Sequence, residues 1–114
     1  MAQAPSSGGF LRGRVTFGRF YLGGNGAAHG GSHTLLFDDV MGYVAGTVGG
    51  ICRTAYLTIN YRRITPIGVE LTFDCRLDGV DGRKRFVSAR LYNVAGEVVA
   101  DCEGLFLRLL PGPQ

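Results

Sequence analysis

The stretch "AAHGGSHTLLFDDVMGYVAG", residues 27–46, decides how the rest of the chain must fold. From residue 30 to about 47 it reads as the one convincing helix of the chain. Leu35, Leu36, Phe37, Val40, Met41, Tyr43, Val44 and Ala45 spread apolar side chains around its full circumference. A surface helix confines such residues to one stripe, so this helix is expected to be buried. Gly42 and Gly46 weaken its helix propensity, and close approach of another backbone is the expected return.

Beyond the helix the chain reads as extended. "TAYLTINYRRI" (54–64) alternates, with Ala55, Leu57, Ile59 and Tyr61 facing one way and Thr54, Tyr56, Thr58, Asn60 and Arg62 the other. "TPIG" (65–68) is a turn, and "VELTFDCRLDGV" (69–80) alternates again. An Asp81-Gly82 hairpin signal and a turn at Ala95-Gly96 set off "RKRFVSARLYN" and "EVVADCEGLFLRL". Four long strands joined by short hairpins pair antiparallel. Ahead of the helix, "FLRGRVTFGRFYL" (10–22) gives one bent strand or two short ones. The expected class is α+β, a long antiparallel sheet wrapped around one central buried helix. The domain covers residues 10–110, with residues 1–9 as a flexible lead.

At 114 residues the chain is one domain that can bury roughly two-thirds of its unfolded surface. It has no long apolar run of the membrane-spanning kind, and its start lacks the basic end and apolar core of a signal peptide. Cys52, Cys75 and Cys102 are odd in number and lack metal-site spacing, which suits buried thiols in the reducing cytoplasm. The formal net charge is +3, and 11 of the 12 basic residues are arginine, suited to gripping phosphate. No basic run exceeds "RKR" (83–85) and none alternates with stacking aromatics, so a small anionic ligand is favoured over nucleic acid.

Three chemistries compete for the opening stretch. His29 and His33 stand four apart, as zinc pairs do, but Gly30, Gly31 and Ser32 between them make a poor helix interior. The sequence holds just 2 histidines, and no metal is expected. A P-loop needs lysine after its last glycine, where Ser32 stands, and the dinucleotide fingerprint needs glycine at position 29. What survives is a glycine-rich helix entrance whose free N–H groups suit an anion or oxyanion. Asp38 and Asp39 lie about 100° apart around the helix, so one is expected in a pocket and the other at an arginine or in solvent. A desolvated carboxylate makes a base or nucleophile, though two structural ion pairs fit the residues equally well.

"HGGSHTLLFDDVMGYVAG" followed by "TAYLTINYRRITPIGVEL" resembles the hotdog-fold acyl-CoA thioesterases, in the branch of the phenylacetate-pathway and 4-hydroxybenzoyl-CoA enzymes. The likeness runs from about Val15 to Leu109 and includes the "HGG" turn and an acid nine residues after its histidine. It also includes a hydroxyl residue opening the next strand and a Y-x-x-x-x-P-x-G turn. The resemblance implies Asp38 as base or nucleophile, the Gly30 N–H as oxyanion donor, Thr54 to hold the attacking water, and His29 to brace the turn or touch the thioester. It further implies substrate contacts near the turn, at Gly31 and, with poorer spacing, Asn25. For the coenzyme A phosphates, the concentrated positive charge lies at Arg83, Lys84 and Arg85 or at Arg62 and Arg63. Coenzyme A enters as part of the substrate, and no cofactor is expected.

Gly30 and Asp38 lie roughly 12 Å apart along one helix axis, too far to share a carbonyl. An antiparallel homodimer, with tetramers an open extension, would bring one chain's Gly30 to the other's Asp38. The competing functions are a hotdog hydratase or dehydratase using His33, and a non-catalytic acyl-CoA-binding protein.

Overall fold

The computed structural model describes residues 10–18 and 30–110. The elements follow as β1 (Phe10–Thr16), α1 (Gly30–Gly46), β2 (Cys52–Tyr61), β3 (Glu70–Asp81), β4 (Lys84–Tyr92) and β5 (Val98–Arg108). Every strand pairing is antiparallel, in the order β1-β3-β4-β5-β2. The class is the α+β expected. The lead at 1–9 lies outside the described residues.

Strands β3, β4 and β5 form a meander through two tight turns. Gly82 (φ 60°) and Gly96 (φ 84°) take the left-handed backbone these turns require, at no steric cost. Strand β2 departs from expectation. The 65–68 turn does not fold it back on β3; β2 crosses to the far side of the meander and pairs with β5. Turn residues announce a reversal but do not say which strand becomes the neighbour. The crossing is pinned where Arg62 N and Arg63 N donate to Val99 O (2.9 and 3.2 Å) and Gly68 N donates to Phe17 O (2.9 Å).

The helix lays one face on the sheet. Phe37, Met41, Val44 and Ala45 are all 0% exposed, packed in one cluster with Leu71, Phe73, Cys75, Val87, Leu91, Cys102 and Phe106. Each such large side chain contributes roughly 1.5–3 kcal/mol over leaving it in water. The opposite face is not covered by the described residues. Leu35 is 62% and Tyr43 54% exposed, and both aspartates are exposed. The expectation of a helix buried all round is therefore corrected: five strands on one side cannot enclose it. The helix glycines are corrected likewise. A Cβ on Gly42 would meet a Phe106 ring carbon at an ordinary 3.7 Å, and one on Gly46 nothing within 4 Å. No helix among the described residues is long and apolar enough to cross a membrane.

Gly104 is the glycine that this packing does require. A Cβ there would lie 2.7 Å from Leu57 Cδ2, 3.0 Å from Met41 Cε and 3.2 Å from Phe106 Cε1. Gly104→Ala should cost about 1–3 kcal/mol in denaturant melts, the usual range for overpacking. Gly79→Ala meets just Phe86 Cδ2 at 3.9 Å and should be neutral or slightly stabilising. Equal effects of the two would mean that the helix rides further from β5.

Candidate active site

A single extra residue builds the site. In the β2–β5 ladder Thr54 pairs with Phe106 and Tyr56 with Leu105, leaving Ala55 as a bulge. Directly opposed residues share a face of the sheet. Phe106 is in the core, so Thr54 faces the helix, as do Leu57 opposite Gly104 and Ile59 opposite Cys102. Strict alternation would send Thr54 outward with Tyr56 and Thr58, and the bulge overturns that expectation. Bulges re-aim side chains in this way beside functional sites. The result is a hydrogen bond: Thr54 Oγ1 donates to Asp38 Oδ1 at 2.6 Å.

The two aspartates differ in their partners. Asp39 has no hydrogen bond or ion pair among the described residues, whereas Asp38 is held by Thr54. Neither is buried, which corrects the expectation that one lies in a pocket: the chain leaves that side of its helix open. Gly30 is the first helical residue and Gly31 the second, so their N–H groups are among the four a helix leaves without an internal partner. His29 and Asn25 lie outside the described residues.

His33 is buried, at 2% exposure, and shares a 2.6 Å hydrogen bond between its Nε2 and Thr65 Oγ1. The rings of Phe17 and Tyr61 flank it, with centroids at 5.4 and 5.1 Å. Cys52, Cys75 and Cys102 are free thiols. Burial pushes the Cys102 thiol up to about 12 and Cys75 higher still. Neither is a thiolate near neutral pH, so neither is a nucleophile.

The two arginine clusters are unequal. Arg62 Nε donates to Asp101 Oδ2 at 2.8 Å, and this bond holds the Asp101 carboxyl below the usual carboxylate range. Arg63 pairs with Glu97 at 3.2 Å. In the other cluster Arg83 and Lys84 are exposed, but Arg85 is 5% exposed and its NH1 donates to Gly82 O (2.7 Å) at the hairpin. Arg85 is thus corrected from a surface cation to a turn clamp, since it shares the inner face with Phe106, its partner in the ladder. The sheet supplies a replacement. Lys84 and Arg53 both stand opposite Leu107, on either side of it. Arg53, next to Thr54, was not legible as part of a cluster because some thirty residues separate it from Lys84; the ladder brings them within about 10 Å.

Residues 25–100, which carry Asp38, Thr54 and most of the sheet, match the thioesterase superfamily. The chain belongs to that superfamily. Among curated relatives, this thioesterase-superfamily chain is 32% identical over 95 residues to the acyl-coenzyme A thioesterase THEM4 of Bos taurus. That match takes in 82% of this chain and 39% of the relative, so the chain spans about two-fifths of its length. A crystal structure of a thioesterase superfamily protein superposes with a TM-score of 0.80 at 38% identity, over 86% of this chain and 48% of that one. The Streptococcus mutans protein smu.793, solved bound to acetyl CoA, superposes at 0.87 with 23% identity, over 93% and 86% of the two chains. The hotdog architecture implied by the sequence is the one observed.

Proposed function

We propose that this chain hydrolyses acyl-CoA thioesters, with Asp38 as the attacking or proton-accepting group. The observation that carries it is the 2.6 Å bond from Thr54 to Asp38, in a member of the thioesterase superfamily. Thr54 spends its one donor on Oδ1, so it fixes the carboxylate and leaves Oδ2 for the reaction. Any water it holds must donate to it. Asp38 takes a proton from that water as the water oxygen bonds to the thioester carbonyl. Alternatively, Oδ2 bonds to the carbonyl itself, and water later cleaves the resulting anhydride. In both versions the carbonyl oxygen gains the negative charge and the Gly30 N–H receives it, a contact worth about 3 kcal/mol. The C–S bond then breaks and coenzyme A leaves as a thiolate. His29, Gly31 and Asn25 keep the roles at the turn that the resemblance implies.

The working unit is proposed to be a homodimer. Among the described residues strand β2 is an open sheet edge, and Leu35, Tyr43, Ile51 and Ile64 are 62, 54, 74 and 80% exposed around it. Such an edge and apolar surface call for a cover. A second copy would cover the open helix face, desolvate Asp38 and bring its own Gly30. Three free thiols favour a reducing compartment such as the cytoplasm.

Thiol release across a panel of acyl-CoAs, with crotonyl-CoA hydration run alongside, tests the activity. Tight binding without thiol release would make the chain an acyl-CoA-binding module, and hydration without release a hydratase. For the phosphates, the proposed grip is Arg83 and Lys84 with Arg53, since Arg62 and Arg63 are engaged by carboxylates. Arg83→Ala with Lys84→Ala should raise KM about fivefold at low salt with kcat unchanged, the effect fading as salt rises. A KM insensitive to both salt and these substitutions would remove the grip.

A further inference from the structure

We propose that His33 is a positioning residue, which aims the Gly30 N–H by tying the first turn of α1 to the crossing segment between β2 and β3. The inference rests on the role given above to the Gly30 N–H. The first turn has little rigidity of its own, because two of its residues, Gly30 and Gly31, are poor helix formers. Beyond it Leu36 is half-buried and packs against the core, and the next fully buried helix residue is Phe37, about 6 Å further along the axis. His33 is therefore the buried anchor of this turn among the described residues.

Three other segments converge on the same imidazole. Thr65, 3% exposed, meets its Nε2, Phe17 from the end of β1 lies on one side and Tyr61 from the end of β2 on another. The crossing segment is itself fastened, through Gly68 N to Phe17 O and through Arg62 N and Arg63 N to Val99 O. The tie thus runs from a fixed part of the sheet to a turn that needs fixing. An oxyanion donor acts in the transition state, so loosening it lowers kcat and leaves KM nearly unchanged.

A purely structural histidine would behave differently, and a double substitution separates the two. His33→Leu keeps the volume but strands the buried Thr65 hydroxyl, so it should lower the melting temperature and lower kcat at least about tenfold. Adding Thr65→Val removes the stranded hydroxyl and should return the part of the melting temperature lost with this bond, because replacing both of its partners by apolar groups is nearly neutral. It should not return kcat, since the tie is still missing. His33→Gln places an amide where Nε2 stands and should restore both.

Backbone order parameters for the Gly30 and Gly31 N–H supply a readout independent of activity. They should fall from about 0.85 toward 0.6 in His33→Leu and in the double variant, and stay high in His33→Gln. Recovery of kcat together with stability in the double variant, or unchanged order parameters, overturns the proposal. If the unaltered protein releases no thiol, the hydrolase assignment fails, and the order parameters still decide whether His33 fixes the turn.

Discussion

Asp38→Asn should lose at least about a hundredfold in turnover, while Asp39→Asn stays within about threefold of the unaltered protein. The substitution is nearly isosteric, so folding should be preserved and the loss should fall on kcat. Asparagine can neither accept the proton from water nor attack the thioester, and it still fits beside Thr54. The two aspartates are adjacent in sequence and both exposed in one chain, yet among the described residues one alone accepts a hydrogen bond from the inner face of β2. Thiol release at saturating substrate, compared for both variants with melting curves as control, separates them. Equal losses would remove Asp38 from its assigned role.

The second large effect concerns two chains at once. Gly30 opens the same continuous helix that carries Asp38, with roughly 12 Å between them along the axis. If both are to lie within about 3 Å of one reacting carbonyl, as proposed, each site would draw them from different chains. An Asp38→Asn chain and a chain with a bulky substitution at Gly30 should each be nearly inactive alone. Mixed as a heterodimer, they pair an intact Gly30 with an intact Asp38 at one of the two sites. Activity should return to about a quarter of the unaltered level in a statistical mixture, since half the dimers are mixed and each has one working site. Failure to recover activity under conditions that exchange chains, or full activity from a monomer, would falsify the shared site.

Much of this was legible in the sequence. The helix bounds, the turns at Gly82 and Gly96 and the inner face of β3 follow from periodicity and turn chemistry, which are local properties. The family resemblance pointed to Asp38, nine residues after His29, and to Thr54 at the opening of the next strand, and the structure joins the two by a hydrogen bond. What escaped depended on pairing. The bulge at Ala55 is visible just against its partner strand, so simple alternation turned Thr54 away from the aspartate it holds. The place of β2 beside β5, and with it the meeting of Arg53 and Lys84, is a choice among strand neighbours that no local signal records. Arg85 looked like surface charge because arginine usually is, yet its register placed it inward. The all-round apolar helix was read as a property of one chain. The chain satisfies half of it.

The crossing of β2 to the far edge of the sheet also orders events during synthesis. The helix and β2 emerge from the ribosome well before β5, yet β5 is the strand on which β2 must lie. The β3–β4–β5 meander closes through short loops and can form quickly, whereas pairing β2 with β5 closes a loop of about a third of the chain, from Tyr61 to Ala100, and comes later. Until then the apolar helix face has no complete sheet to cover it, and Asp38 has no Thr54 beside it. Strand β5 therefore completes the sheet on which the helix packs and holds the strand that carries Thr54.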